Sequence, residues 1–280
     1  MEKAHTINIS GRLHDLTIPR VMGILNLTPD SFYSDSRIPS AAEAVGRAQK
    51  MVEEGAWCLD IGGYSSRPGA ADIAEAEEIS RVVEPIRAIR EHFPDLPISI
   101  DTFRSKVAEQ AIAAGANLVN DISGGHLDPG ILEVVAQHKV PYIAMHMRGT
   151  PQNMKQQVDY QDLVGEMIYY FSEIRAKAYS KGISDLIIDP GFGFAKSQDH
   201  NFQIMGQLKA FEILECPMLI GVSRKSMIFK TLDIRPEEAL NGTTVLNTVA
   251  LLAGANILRV HDVKAACEAI QLTQKVGANK

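Results

Sequence analysis

Short apolar, β-branched runs recur along the chain, and nearly every one ends in a polar residue. The clearest is Leu186-Ile-Ile-Asp-Pro-Gly-Phe-Gly-Phe-Ala-Lys196. Unbroken apolarity over so few positions predicts a strand buried on both faces. Pro190 and two glycines then stop it, which leaves Asp189 at the strand's C-terminal end beside Phe192 and Phe194. The same plan fits 21–26, 57–61, 98–101, 118–121, 142–146, 218–222 and 257–261. Amphipathic stretches lie between them. One helix should run from a cap at Ser40 to about Glu54, and others over about 72–92, 104–114, 128–138 and 160–181. A further helix starts near His200, one opens at Arg224-Lys-Ser, one covers 236–253 and the last begins at Asp262. Upstream, 6–18 alternates apolar and polar around Ser10-Gly11, a hairpin signal. That hairpin is expected to plug one end of a barrel or to cover a sheet edge.

Eight βα units predict an α/β fold, a (β/α)8 TIM barrel with an N-terminal β-hairpin over 1–18, in one domain spanning 1–280. An open doubly wound sheet is the alternative. The number of units, the lack of GxGxxG after the first strand, and polar ends on nearly every strand favour the barrel.

Composition narrows the partners. The 280 residues are 45% apolar and 22% charged, ordinary for a soluble globular chain. A net charge of −6 gives no reason to expect a nucleic-acid partner, so any anion site must be built locally. Cys58, Cys216 and Cys267 are scattered without metal-ligand spacing and read as reduced thiols. The first residues lack a signal-peptide pattern, and the late apolar run 245–258 is interrupted by Asn247 and Asn256. A cytoplasmic protein with no membrane partner is expected.

In a barrel all C-terminal strand ends face one mouth. Its polar inventory is Asn26, Asp60, Asp101, Asn120, Asp121, His146, Asp189, Lys225, Arg259 and His261. Any one of these has a bland explanation as a cap, a turn former or a satisfied core group, but ten around one rim point to a binding site. Asp101, Asn120 and Asp189 suit a planar ligand with several N–H donors in a row, such as a 2-amino-4-oxo heterocycle, and Lys225 can address its carbonyl. Arg259, His261 and Asn26 form a second group fit for an anion, with Asn26 offering a neutral oxygen to Mg²⁺ held mainly by water and phosphate. The loops 27–39 and 62–69 are long and marked by proline or glycine, of the kind that closes over a site.

These motifs resemble those of the dihydropteroate synthase family. Val21-Met-Gly-Ile-Leu-Asn-Leu-Thr-Pro-Asp-Ser-Phe32 is similar to its N-terminal signature, and Asp60-Ile-Gly-Gly-Tyr-Ser-Ser-Arg-Pro-Gly69 to its second. Ile98-Ser-Ile-Asp-Thr102, Val119-Asn-Asp-Ile122, Met145-His-Met147, the 186–194 block, Gly221-Val-Ser-Arg-Lys-Ser226 and Arg259-Val-His-Asp-Val263 follow in the family's order. Tyr64 stands where the family often has Glu, Ser66 where Thr is frequent, and Phe32-Tyr-Ser-Asp-Ser replaces a glycine-richer form.

The resemblance implies condensation of 4-aminobenzoate with (7,8-dihydropterin-6-yl)methyl diphosphate, with Mg²⁺ as cofactor, in a homodimer whose aminobenzoate site sulfonamides would also occupy. By the family pattern the pterin site is Asp101, Asn120, Met145, Asp189 and Lys225. The diphosphate site is Asn26, Arg67, Arg259 and His261, with Asn26 on the metal. The aminobenzoate site is Ser65, Ser66, Arg67, Pro68, Phe194 and Ser223. Asp101, Lys225, Arg259 and His261 are the candidate catalytic residues. No Ser–His or Cys–His pair is sequence-adjacent to a nucleophile motif; a dissociative departure of diphosphate needs none. Two rival readings are a folate-dependent corrinoid-protein methyltransferase, which needs neither diphosphate pocket nor Mg²⁺, and a non-enzymatic pterin-binding protein. The 236–253 helix is rich in apolar residues; excess apolar surface there would suit a homodimer, and packing into the barrel wall is the alternative.

Overall fold

The computed structural model describes residues 5–28, 40–65 and 72–277. It opens with the antiparallel hairpin β1 (Thr6–Ile9) and β2 (Arg12–Asp15). Ser10 (φ 52°) and Gly11 (φ 83°) make its two-residue turn, a left-handed pair that matches strand twist. Eight parallel strands follow: β3 (Arg20–Asn26), β4 (Cys58–Gly62), β5 (Ile98–Asp101), β6 (Leu118–Asp121), β7 (Tyr142–Met145), β8 (Leu186–Asp189), β9 (Leu219–Ile220) and β10 (Ile257–Val260). Helices α1 (Ala41–Glu53), α2 (Glu75–His92), α3 (Ser105–Ala114), α4 (Gly130–His138), α5 (Leu163–Ser180) and α6 (Gln198–Gly206) alternate with them. Helices α7 (Ser226–Leu232) and α8 (Leu240–Leu252) come after β9, and α9 (Val263–Gly277) after β10.

The strands are ordered β8-β7-β6-β5-β4-β3-β10-β9. Ile188 bridges Met218 in parallel, and the Ile188 N–H donates to the Pro217 carbonyl at 3.0 Å, which closes the sheet into a barrel. The hairpin plugs its N-terminal end. Ile7, Ile9 and Leu16 are buried in one cluster with Met22, Cys58, Leu118, Ile143, Ile187, Leu219 and Ile257, the inward residues near the strand starts. Asn256 Nδ2 ties down the plug by donating to the Leu16 carbonyl at 2.9 Å.

Alternation then decides what reaches the mouth. Residues on one parity face the barrel interior, and their neighbours face the helices. Val21, Leu25, Leu59, Ile61, Ile98, Ile100, Val119, Tyr142, Ala144, Leu186, Ile188, Leu258 and Val260 pack in the outer layer. The inward parity above the plug therefore includes Asn26, Asp60, Asp101, Asn120, Met145, Asp189 and Arg259.

Two elements depart from the sequence expectation. The seventh strand, expected over 218–222, pairs only at Leu219–Ile220, because a turn closed by Lys225 N–H to the Val222 carbonyl (3.1 Å) and a left-handed Arg224 (φ 54°) take the chain away. The helix expected over 236–253 opens as a single 3₁₀ turn, Pro236–Glu238, where the Glu238 carboxylate accepts the Arg235 N–H at 3.0 Å, and α8 begins at Leu240. Among the described residues no helix is long and apolar enough to cross a membrane.

Candidate active site

Arg259 organises the mouth. Its Nε donates to Asp60 Oδ2 at 2.6 Å and its Nη2 to Asp101 Oδ2 at 2.5 Å. The side chains of Arg259 and Asp101 are each 18% exposed, and that of Asp60 is fully buried. Removing one partner of such a pair leaves a buried charge uncompensated, at a cost of about 3–5 kcal/mol. Asp60 Oδ2 also accepts from Asn120 Nδ2 at 2.9 Å, so one carboxylate orients both an expected pterin residue and an expected diphosphate residue. Asp60 Oδ1 has no partner among the described residues.

The other wall carries Asp189 and Lys225. The Gly191 N–H donates to Asp189 Oδ1 at 2.8 Å, and Lys225 Nζ donates to the Phe192 carbonyl at 2.6 Å. Burial raises the Asp189 carboxyl, and Lys225 opposes that rise. Burial brings Lys225 down to about 8 against the pull of Asp189. Burial likewise pushes Asp101 up to about 7, with Arg259 pulling the other way. Arg259 is held above its usual range by Asp60 and Asp101, which overcome its own desolvation.

The elements explain this convergence. Gly221 lies beside Arg259 and Lys225; a Cβ there would sit 3.9 Å from Lys225 Nζ and 3.9 Å from Arg259 Cβ. Gly62 separates Asn26 from Asp101; its Cβ would lie 3.5 Å from Asn26 Oδ1 and 3.7 Å from Asp101 Oδ2. Met145 joins Ile122, Met147, Met154 and Ala195 in an apolar floor, with Phe103, Leu127 and Phe194 against it. The Phe194 ring is half-buried, 5.1 Å from Lys225 Nζ. Folding also makes a Ser–His pair from residues far apart in sequence. Ser223 Oγ accepts from the His261 backbone N–H at 3.1 Å and lies 3.0 Å from its Nδ1. A hydroxyl donating to Nδ1 leaves the proton on Nε2.

Ser65 is half-buried; Ser66, Arg67 and Pro68 lie outside the described residues, as does the loop 29–39. The described flanks of the second loop are pinned. Gln152 Nε2 donates to the Tyr64 hydroxyl at 3.0 Å, and the Tyr64 ring stands edge-on to Phe103 with centroids 5.3 Å apart. Arg104 lies 5.2 Å from the Tyr64 ring centroid and also donates to Glu78 at 2.8 Å and to the Ile73 carbonyl at 2.8 Å.

Two members of the rim inventory belong elsewhere. Asp121 has the outward parity; it accepts from the Tyr142 hydroxyl and from the Ser123 and Gly125 N–H groups, which makes it a turn former. His146 also turns away from the mouth, and its Nδ1 meets Lys196 Nζ at 2.9 Å. Burial, with Lys196 close by, lowers His146 to about 2, so its ring is neutral. Lys196, the hub of this contact, was absent from the inventory because it lies seven residues past Asp189 in a loop.

A parallel barrel with convergent carboxylates, amide and cations at its C-terminal mouth is the plan of an enzyme acting on a small heterocyclic ligand. Residues 22–261 match the family model of the pterin binding enzymes, and the chain belongs to that family. Its similar relatives include the dihydropteroate synthases of Synechocystis, 48% identical over 88% of this chain and 86% of that one, and of Escherichia coli, 40% identical over 93% and 92%. Among solved structures, Yersinia pestis dihydropteroate synthase in a sulfonamide drug complex superposes with a TM-score of 0.92 at 38% identity, over 98% of this chain and 99% of that one. Xanthomonas albilineans dihydropteroate synthase with 4-aminobenzoic acid gives 0.91 at 38% identity, with the same coverage.

Proposed function

We propose that the chain catalyses the dihydropteroate synthase reaction of folate biosynthesis. It joins the amine of 4-aminobenzoate to (7,8-dihydropterin-6-yl)methyl diphosphate, forming 7,8-dihydropteroate and releasing diphosphate. The observation that carries this reading is Arg259, held between Asp60 and Asp101 at the boundary of an acceptor-lined pocket. A pterin presents N–H donors to Asp101, Asn120 and Asp189 and its carbonyl to Lys225, above the Met145 floor. Arg259, His261 and Asn26, with Arg67, receive the diphosphate. Ser65, Phe194 and Ser223, with Ser66, Arg67 and Pro68, shape the aminobenzoate side.

The donor set suits Mg²⁺ at Asn26. That residue offers a neutral oxygen beside Gly62 at the mouth, and among the described residues no cluster of three His, Cys, Asp or Glu side chains could hold a metal alone. Bound there, Mg²⁺ would neutralise charge on the departing diphosphate. Arg259 and the Nε2–H of His261 donate to the same developing charge. The bond from the pterin methylene to the diphosphate oxygen breaks first, and its electron pair leaves with diphosphate. Ionised Asp101 favours the ring-delocalised cation that remains. The arylamine nitrogen then bonds to the methylene carbon and gives up one proton; it needs positioning more than activation.

The reading extends to a cytoplasmic homodimer joined through α8. Calorimetric titration with the dihydropterin-methyl diphosphate tests the anion site. Arg259→Ala should weaken binding by at least about tenfold, the loss of one charge-assisted contact. An unaltered affinity removes Arg259 from that site.

A further inference from the structure

The loop after β8 has an awkward backbone. Gly191 (φ 70°), Gly193 (φ 83°) and Ala195 (φ 49°) all lie on the left-handed side, and alanine has no intrinsic preference for it. A Cβ at Gly191 would collide with the His146 carbonyl, so the loop runs hard against the end of β7. Such a backbone persists only where its surroundings over-determine it.

Three side chains from outside this backbone's own hydrogen bonding hold its carbonyls. Lys225 donates to that of Phe192 at 2.6 Å, Lys196 to that of Phe194 at 2.9 Å, and the Tyr160 hydroxyl to that of Ala195 at 2.8 Å. Asn201 Oδ1 accepts the Gly193 N–H at 2.7 Å. Lys196 is the buried member that also crosses to β7. Its Nζ lies 3.2 Å from the His146 carbonyl and 2.9 Å from His146 Nδ1. Three acceptors surround one nitrogen, while burial pushes the Lys196 amine well below its usual range and Asp189 opposes that fall. A residue only 9% exposed therefore directs its amine at joining two strand ends.

We propose that Lys196 is a positioning residue for the arylamine substrate: it fastens the loop after β8 to the end of β7 and so fixes the Phe194 ring that walls the aminobenzoate side. Lys225 holds the same loop two residues earlier and lies near the Phe194 ring, so the two lysines set its height and tilt together. The substrate part of this inference rests on the proposed function, whereas the fastening rests on geometry alone.

The test combines ¹⁹F NMR of protein labelled with 4-fluorophenylalanine, the Phe194 signal being assigned by Phe194→Leu, with steady-state kinetics. Lys196→Met keeps the buried chain length and removes the donors. It should move or broaden the Phe194 signal while that of Phe93, at the end of α2, stays in place. It should also raise KM for 4-aminobenzoate about tenfold and leave KM for the dihydropterin-methyl diphosphate within about twofold, the split expected when one wall of one subsite loses a buried hydrogen bond. Lys196→Gln, which retains two N–H donors, should recover part of both effects; it serves as the test if Lys196→Met does not fold. An unmoved Phe194 signal in both variants overturns the proposal, as does an equal rise in the two KM values. A moved signal with an unchanged aminobenzoate KM upholds the fastening and instead removes Phe194 from the aminobenzoate site.

Discussion

Asp101 and Asp189 face Arg259 and Lys225 across the mouth, so protonation governs what the pocket can hold. Asp101 is raised to about 7 by burial. Below that pH its carboxyl is neutral and offers no charge to a cationic intermediate; above it the carboxylate is present, so activity should rise with pH through about 7. Lys225 is lowered to about 8 by burial. Above that pH it loses the charge that opposes Asp189, so activity should fall. A bell-shaped profile of kcat/KM follows, with a narrow maximum between the two limbs. Asp101→Asn should abolish the ascending limb and lower turnover about a hundredfold, as loss of one preorganised electrostatic contact does, while pterin affinity changes less. An ascending limb that persists in Asp101→Asn would assign it to another group.

At the scale of elements, α8 tests the assembly. Val245, Val249 and Leu252 lie on its outer face at 53%, 40% and 55% exposure, while Thr243, Asn247 and Ala250 point inward. Leu272 and Val276 of α9 continue the apolar surface. Outer barrel helices need only one buried stripe, so this second stripe supports the pairing of two copies. Sedimentation velocity should give a dimer for the native chain and a monomer for Val249→Asp; a native monomer at micromolar concentration would contradict the assembly. The apolar richness of this helix was visible in the residue pattern, but the break between the Pro236–Glu238 turn and α8 was not. Proline is welcome in a first helical turn, so nothing local distinguished a short turn from a helix start.

Over the whole molecule, barrel and mouth were legible because each strand is a short apolar run that ends in a polar residue. Strand parity, readable from the same runs, separates Asn120 from Asp121 and Met145 from His146, and it explains why two members of the rim inventory serve turns and packing instead. Less legible were contacts that depend on closure. Asp60 was on the inventory, but its joint hold on Arg259 and Asn120 needs strands distant in sequence to meet. Ser223 and His261 became a pair, and Lys196 a tie, for the same reason. Tyr64 gained a setting among Phe103, Arg104 and Gln152 that no local pattern announces.

The central claim is that this mouth transfers a pterin-methyl group from diphosphate to an arylamine. The direct measurement is mass spectrometry of products from purified protein, (7,8-dihydropterin-6-yl)methyl diphosphate and Mg²⁺, with and without 4-aminobenzoate. Dihydropteroate should appear only with 4-aminobenzoate, and diphosphate release without the amine would follow from the dissociative order. Pterin substrate returned intact from folded, pterin-binding protein in the presence of both partners would contradict the account.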